Sequence, residues 1–227
     1  MPGLSAVRVG PVKQPAKSAV IFLHGLGDSG AGWSFFAEML RRDTAFSQTR
    51  FIFPNAPITN IVANGNYPMP AWFNLYDWND LHAKQDTVGF LKSLDQVKAF
   101  VKEQIDLGID PKNIVVGGFS QGAALALATV LVLPVKIGGI VALSGFANAN
   151  VDFLKDQNSL NLQTPVFHGH GDADLVVPLT LGKQARGLYS NTCGLQNYEF
   201  HEYPGLAHSS CPEEILDTIR FIKKIIA

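Results

Sequence analysis

Residues 113–128 read Asn113-Ile114-Val115-Val116-Gly117-Gly118-Phe119-Ser120-Gln121-Gly122-Ala123-Ala124-Leu125-Ala126-Leu127-Ala128. A β-rich run opens the stretch, an unbroken apolar run closes it, and Gly118-Phe119-Ser120-Gln121-Gly122 lies between. This order predicts a strand, a tight turn and a helix. The turn fits G-x-S-x-G, which sets a serine at a sharp strand-to-helix corner. A side chain at 118 or 122 would crowd the backbone where strand and helix approach each other, which is a reason for glycine at both. Ser120 is then expected to stand above the sheet at a helix N-terminus, where unpaired N–H groups favour developing negative charge.

Working outward, Ser18 to Leu23 is a continuous apolar run, as a strand buried on both faces requires, and it ends in His24-Gly25-Leu26-Gly27-Asp28-Ser29-Gly30. A helix is predicted from Trp33 to Leu40 and a strand over Arg50 to Phe53, closed by Pro54. Phe90, Leu94, Val97, Val101 and Ile105 recur at helical spacing until Gly108 and Pro111 stop them. Further strands are predicted over Lys136–Leu143, Thr164–His168 and Asn197–Tyr203, with helices over Leu179–Tyr189 and Pro212–Ile226. Ala6 to Val9 carries only a weak strand signal. Residues 54–82 show no periodicity but hold Tyr67, Trp72, Phe73, Tyr76 and Trp78. A loop this long inside a compact domain points to function, and its rings suit a wall of an apolar site. Strands alternate with helices from Ser18 onward, so one domain over residues 1–227 is expected, α/β in class, its mostly parallel sheet covered by helices on both faces.

Composition narrows the function. The hydrophobic fraction of 47% argues against disorder, and a formal net charge of −1 removes the electrostatic case for nucleic acid. The two cysteines, Cys193 and Cys211, form no C-x-x-C pair, so neither a structural zinc site nor a redox motif is suggested. No metal and no organic cofactor is expected. Met1-Pro2-Gly3-Leu4 lacks a signal-peptide pattern, and Ala123 to Val135 is too short to span a bilayer. A cytoplasmic protein is the expectation, with the nucleus as a second compartment.

Open α/β sheets bind ligands at the carboxyl ends of their strands. His24, Ser120, Asp172, Asp174 and His208 all follow predicted strands. Acyl transfer needs a nucleophile, a base to take its proton and an acid to orient the base. The order Ser, Asp, His is that of the α/β-hydrolases. His208 is the best base, in a loop between the last strand and the last helix. Of the other five histidines, His82 and His201 read as surface or packing residues and His168 as a satisfied core residue. His24 and His170 flank glycine turns and are expected to hold loops by hydrogen bonds. Asp172 and Asp174 are two apart in one loop, and position alone leaves the acid open between them. The carbonyl oxygen gains charge during attack, and two backbone N–H groups are expected to receive it: that of Gln121 and that of Leu26. The glycine loop at 25–30 has neither a P-loop ending nor G-x-G-x-x-G spacing, which argues against phosphate binding.

These residues resemble the acyl-protein thioesterase and carboxylesterase (lysophospholipase-like) family of small α/β-hydrolases. The matching motifs are His24 to Gly30, Phe53-Pro54-Asn55-Ala56-Pro57, Gly118 to Ala124, His170-Gly171-Asp172-Ala173-Asp174 with Val177-Pro178, and His208-Ser209-Ser210. They run through nearly the whole chain in the family's order. The resemblance implies Ser120 as nucleophile, His208 as base and Asp174, rather than Asp172, as acid. It supports Leu26 and Gln121 as oxyanion donors, and it implies an acyl-binding wall at Trp72, Phe73, Leu75 and Val176. The implied activity is hydrolysis of thioester-linked palmitoyl and other fatty acyl groups on protein cysteines. The implied partners are S-acylated proteins; transient contact with a membrane surface, and a monomer or a weak homodimer through apolar surface near the channel, are further expectations. The alternatives are a general carboxylesterase or lysophospholipase and, more remotely, a non-catalytic lipid-binding module. Asn74 departs from the family, which usually has Asp after Trp-Phe.

Overall fold

The computed structural model describes residues 5–77, 84–148 and 160–226. Trp78 and His82, singled out above, lie outside them, as do residues 1–4. The strands are β1 (Ala6–Val9), β2 (Ser18–Leu23), β3 (Thr49–Pro54), β4 (Ile58–Ile61), β5 (Tyr67–Pro70), β6 (Ile114–Phe119), β7 (Gly139–Leu143), β8 (Val166–Gly171) and β9 (Tyr198–Tyr203). The α-helices are α1 (Gly30–Trp33), α2 (Phe35–Leu40), α3 (Thr87–Asp106), α4 (Gln121–Val132), α5 (Leu179–Gly187) and α6 (Pro212–Ile226).

Seven strands make one sheet in the order β1-β3-β2-β6-β7-β8-β9. All neighbours run parallel except β1, which pairs antiparallel with β3 along the edge. Strand β6, which leads into Ser120, is therefore the middle strand. The alternation along β2 explains its apolar sequence: Ala19, Ile21 and Leu23 join one core, Val20 and Phe22 the other. The first core is closed by Phe90, Leu94 and Val97 of α3, by α4, and by Ala185 of α5. The second is closed by Phe36, Ala37 and Leu40 of α2 and by Ile215, Phe221 and Ile222 of α6. Helix α4 lies between α3 and the sheet, and its residues Gln121 to Leu131 are all buried, which is why its sequence is apolar all round.

The predicted elements are present, with instructive differences at their ends. The helix expected from Trp33 to Leu40 begins at Gly30 and divides at Ser34. Gly30 permits the early start, because a Cβ there would lie 2.1 Å from the Phe53 carbonyl oxygen. Strand β8 continues past His168 to Gly171, so His170 sits on the strand and not in a glycine turn. The stretch 54–82 is not all loop: β4 and β5 form a two-stranded hairpin outside the main sheet. Pro68 and Pro70 speak against a strand, but a separate pair leaves its outer edge unpaired, where proline is tolerated. The hairpin turns at Gly65 and Asn66, both with positive φ. No helix among the described residues is long and apolar enough to cross a membrane.

Candidate active site

Ser120 occupies the corner between β6 and α4 at φ +54° and ψ −117°. A non-glycine residue held there stores roughly 1–3 kcal/mol of strain, which the surrounding structure must over-determine. It does so by close approach. A Cβ on Gly118 would lie 2.4 Å from the Gly122 carbonyl carbon, and one on Gly122 would lie 2.3 Å from the Leu23 oxygen. The Ser120 N–H donates to the Leu143 carbonyl at 2.9 Å, and its own carbonyl accepts from Ala124 at 3.0 Å. Both glycines expected at the turn are therefore required by backbone contact.

The Ser120 hydroxyl donates to His208 Nε2 at 2.9 Å, and His208 Nδ1–H donates to Asp174 Oδ2 at 2.7 Å. The other oxygen, Asp174 Oδ1, accepts from the N–H groups of Val176 at 2.9 Å and Val177 at 2.8 Å. Burial pushes the Asp174 carboxyl up, but the His208 hydrogen bond and these backbone donors outweigh it and hold it below its ordinary range. Asp172, the competing acid, faces away and accepts from Gly205 N–H at 2.6 Å, bracing its loop. Serine, histidine and carboxylate thus form one hydrogen-bonded line with a carboxylate that stays charged.

The Gln121 N–H stands at the first turn of α4, where the helix supplies no acceptor. Across from it is the His24–Gly30 loop. His24 is buried, and burial lowers its pKa against the opposing effect of the Gly25 carbonyl, so its ring is neutral. Its Nδ1–H donates to the Gly25 carbonyl at 2.7 Å and its Nε2 accepts from Ala56 N–H at 3.0 Å. This is the loop-holding role expected of it, and it fixes the backbone next to Leu26.

A cavity of about 190 Å³ opens beside Ser120. Leu26, Phe73, Leu75, Ser120, Gln121, Val176 and His208 line it, as expected from the sequence, with Asp174 behind His208. Trp72 is a correction: it is 1% exposed and does not line the cavity. Its indole N–H donates to the His24 carbonyl at 2.8 Å, so it braces the wall from behind. Phe119, Phe146 and Val177 also line the cavity and were missed. Phe119 is the variable residue inside G-x-S-x-G and Phe146 follows the end of β7, so the strand-end rule could have found both. The Gln121 side chain was missed as well. Its amide oxygen accepts from Trp72 N–H at 2.8 Å and its amide nitrogen donates to the Phe73 carbonyl at 2.7 Å, tying the cavity wall to the serine corner. Asn74, the departure from the family, accepts from Val62 N–H at 3.0 Å and so ties the segment after Phe73 to the hairpin. No group of His, Cys, Asp and Glu able to hold a metal ion is found among the described residues.

The profile of the phospholipase/carboxylesterase family matches residues 5–226. Acyl-protein thioesterase 1 of Saccharomyces cerevisiae is 50% identical over 226 residues, covering 99% of this chain and 100% of its own. Acyl-protein thioesterase 1 of Kluyveromyces lactis is 49% identical, covering 98% of both. Among solved structures, SOBER1 of Arabidopsis thaliana is 29% identical with a TM-score of 0.86, covering 93% of this chain and 100% of its own. Acyl-protein thioesterase 2 of Zea mays is 27% identical with a TM-score of 0.80, covering 98% of this chain and 99% of its own. The profile match over nearly the full length, with the sheet order and helix layers described above, places the chain in the phospholipase/carboxylesterase family of α/β-hydrolases.

Proposed function

We propose that this protein is a serine thioesterase that removes fatty acyl groups from the cysteines of S-acylated proteins. The observation that carries the reading is the unbroken line from Ser120 through His208 to Asp174, opening on a cavity with Phe73, Leu75, Phe146 and Val176 in its wall. Relatives named acyl-protein thioesterase at about half identity over the full chain support the substrate class. In this reading Ser120 Oγ attacks the thioester carbonyl carbon while His208 Nε2 takes its proton. The carbonyl oxygen becomes an oxyanion facing the N–H groups of Gln121 and Leu26. Collapse breaks the carbon–sulfur bond, and His208 returns the proton to the departing cysteine sulfur. Water, deprotonated by the same Nε2, then attacks the Ser120 ester and frees the fatty acid, restoring Ser120. Asp174 keeps Nδ1 protonated throughout and stabilises the imidazolium as it forms. Access to membrane-bound substrates by transient surface contact, action as a monomer or weak homodimer, and residence in the cytoplasm and nucleus belong to the same proposal.

The test is release of fatty acid from an S-palmitoylated peptide and from the matching O-palmitoyl serine peptide, with Ser120→Ala in parallel. Rapid thioester cleavage that vanishes in the variant is expected. A variant with wild-type turnover would sink the assignment of the nucleophile. One observation favours a second reading, a general carboxylesterase for small esters. The cavity volume of about 190 Å³ falls below the ~300–1,000 Å³ usual for ligand pockets. Slow cleavage of both peptides beside rapid turnover of short esters would decide for it.

A further inference from the structure

His168 and His170 sit on one face of β8, both fully buried, and neither takes part in the proton transfers above. One placement of protons satisfies their contacts with Val177, with each other and with Tyr198. His170 Nε2 lies 2.8 Å from the Val177 carbonyl, which can only accept, so Nε2 carries the hydrogen. Burial holds His170 below its ordinary pKa, against the Val177 and Asp174 effects that would raise it, so the ring is neutral and Nδ1 is bare. Nδ1 faces His168 Nε2 at 3.4 Å, so the hydrogen there belongs to His168 Nε2. Burial likewise keeps His168 neutral, against the Gly145 carbonyl that also accepts from its ring, and with Nε2 protonated His168 Nδ1 is left as an acceptor. Its partner at 2.8 Å is the Tyr198 hydroxyl, whose proton burial makes harder to lose, and which therefore donates.

The far end of this chain touches the acid of the triad. His170 Nε2 is 3.7 Å from Asp174 Oδ2, the oxygen that receives His208 Nδ1–H. The carbonyl that His170 holds belongs to Val177, whose N–H donates to Asp174 Oδ1. One imidazole thus grips the turn from Asp174 to Val177 by its carbonyl while the same turn grips the carboxylate by its N–H groups. A Cβ on Gly182 of α5 would lie 2.5 Å from His170 Nδ1, so glycine is what lets α5 pack against this edge of the ring.

We propose that His170 is a positioning residue for the catalytic carboxylate, locked in its Nε2–H tautomer by a donor chain that runs from Tyr198 through His168. The inference rests on the assignment of Asp174 as the acid of the triad. The first measurement is the 15N spectrum of the histidine-labelled wild-type protein, which reports each tautomer without any substitution. Nε2–H forms at both His168 and His170 are expected. A Nδ1–H form at His170 would overturn the proposal. In Tyr198→Phe the fixed donor is gone, and His168 should move toward a mixture of tautomers; unchanged histidine shifts would remove Tyr198 from the chain. Kinetics supply the second arm. His170→Ala should lower kcat roughly three- to tenfold, the worth of one hydrogen bond, with KM little changed. His170→Gln, whose amide can still donate to Val177, should recover most of the loss, and equal kcat in the two variants would count against the proposal. Asp174→Asn separates the two levels of the argument. If it retains wild-type kcat, the triad assignment fails and this inference with it. If it is inactive while His170 carries the wrong tautomer, only the inference fails.

Discussion

Replacing Glu214 by Gln should stabilise the protein by an amount that grows with pH. Glu214 lies in the first turn of α6, fully buried, with its carboxyl against the backbone of Gly169 in β8. Neither carboxyl oxygen has a hydrogen-bond partner among the described residues. Burial, reinforced by the charge of Asp174, pushes its pKa from 4.5 up to about 8. The folded state thus holds this proton more tightly than the unfolded state does. Its contribution is complete below pH 4.5, declines as pH rises, and is fully lost above about 8. Each unit in that window costs a little over 1 kcal/mol, which makes roughly 3 kcal/mol at pH 7 and between 4 and 5 at the plateau. Glutamine is neutral at every pH, so the difference between variant and wild type should climb along this line, whatever fixed offset its amide introduces. Urea unfolding of both proteins at pH 5, 6, 7, 8 and 9 measures it. A difference that stays flat or shrinks with pH would refute the reasoning, because it would mean that Glu214 is ionised or solvated in the folded protein.

Four other substitutions probe the site's construction. Gly122→Ala should destabilise by about 1–3 kcal/mol or more, since its Cβ would meet the Leu23 and His24 oxygens at 2.3 and 2.6 Å; a thermal melt within a degree of wild type would contradict this. Gln121→Glu keeps an acceptor for Trp72 N–H but loses the donor to the Phe73 carbonyl, so kcat/KM for long acyl substrates should fall about tenfold and more than for acetyl esters. An equal loss on both would show that the side chain does not shape the acyl wall. Trp72→Phe leaves the His24 carbonyl without its indole donor and should cost about 1–3 kcal/mol in urea unfolding. Its effect on KM for acyl esters should be smaller than that of Leu75→Ala, because only Leu75 lines the cavity.

The readable parts of the sequence were those where local pattern and tertiary environment agree. Ala19 to Leu23 is apolar at every position because it is buried on both faces, and the run signals this directly. The two glycines around Ser120 announce backbone contacts that no side chain survives. The β4–β5 hairpin hid because it pairs only with itself, so its prolines face a ladder on one side only and its apolar residues Ile58 and Tyr67 stay exposed. Trp72 looked like cavity lining because an aromatic residue serves equally well behind a wall or in it; only its indole hydrogen bond distinguishes the two. Asp172 and Asp174 were inseparable by position, since both follow β8, and geometry divides them through Gly205 and His208. Glu214 gave no signal at all. It reads as an ordinary acid in the first turn of a helix, where negative charge is favoured.

The sheet order also decides how activity is lost. Ser120 hangs from the middle strand and from a helix enclosed on every side, whereas His208 follows β9, the strand at the sheet's margin. Opening in proteins begins where burial and contacts are fewest. If β9 frays first, the proposed base His208 should be withdrawn while the strained serine corner stays closed. Such a partly opened molecule keeps its serine and cannot use it. On the proposed mechanism catalytic competence should therefore be a property of the margin, lost before the interior melts and restored when the last strand docks.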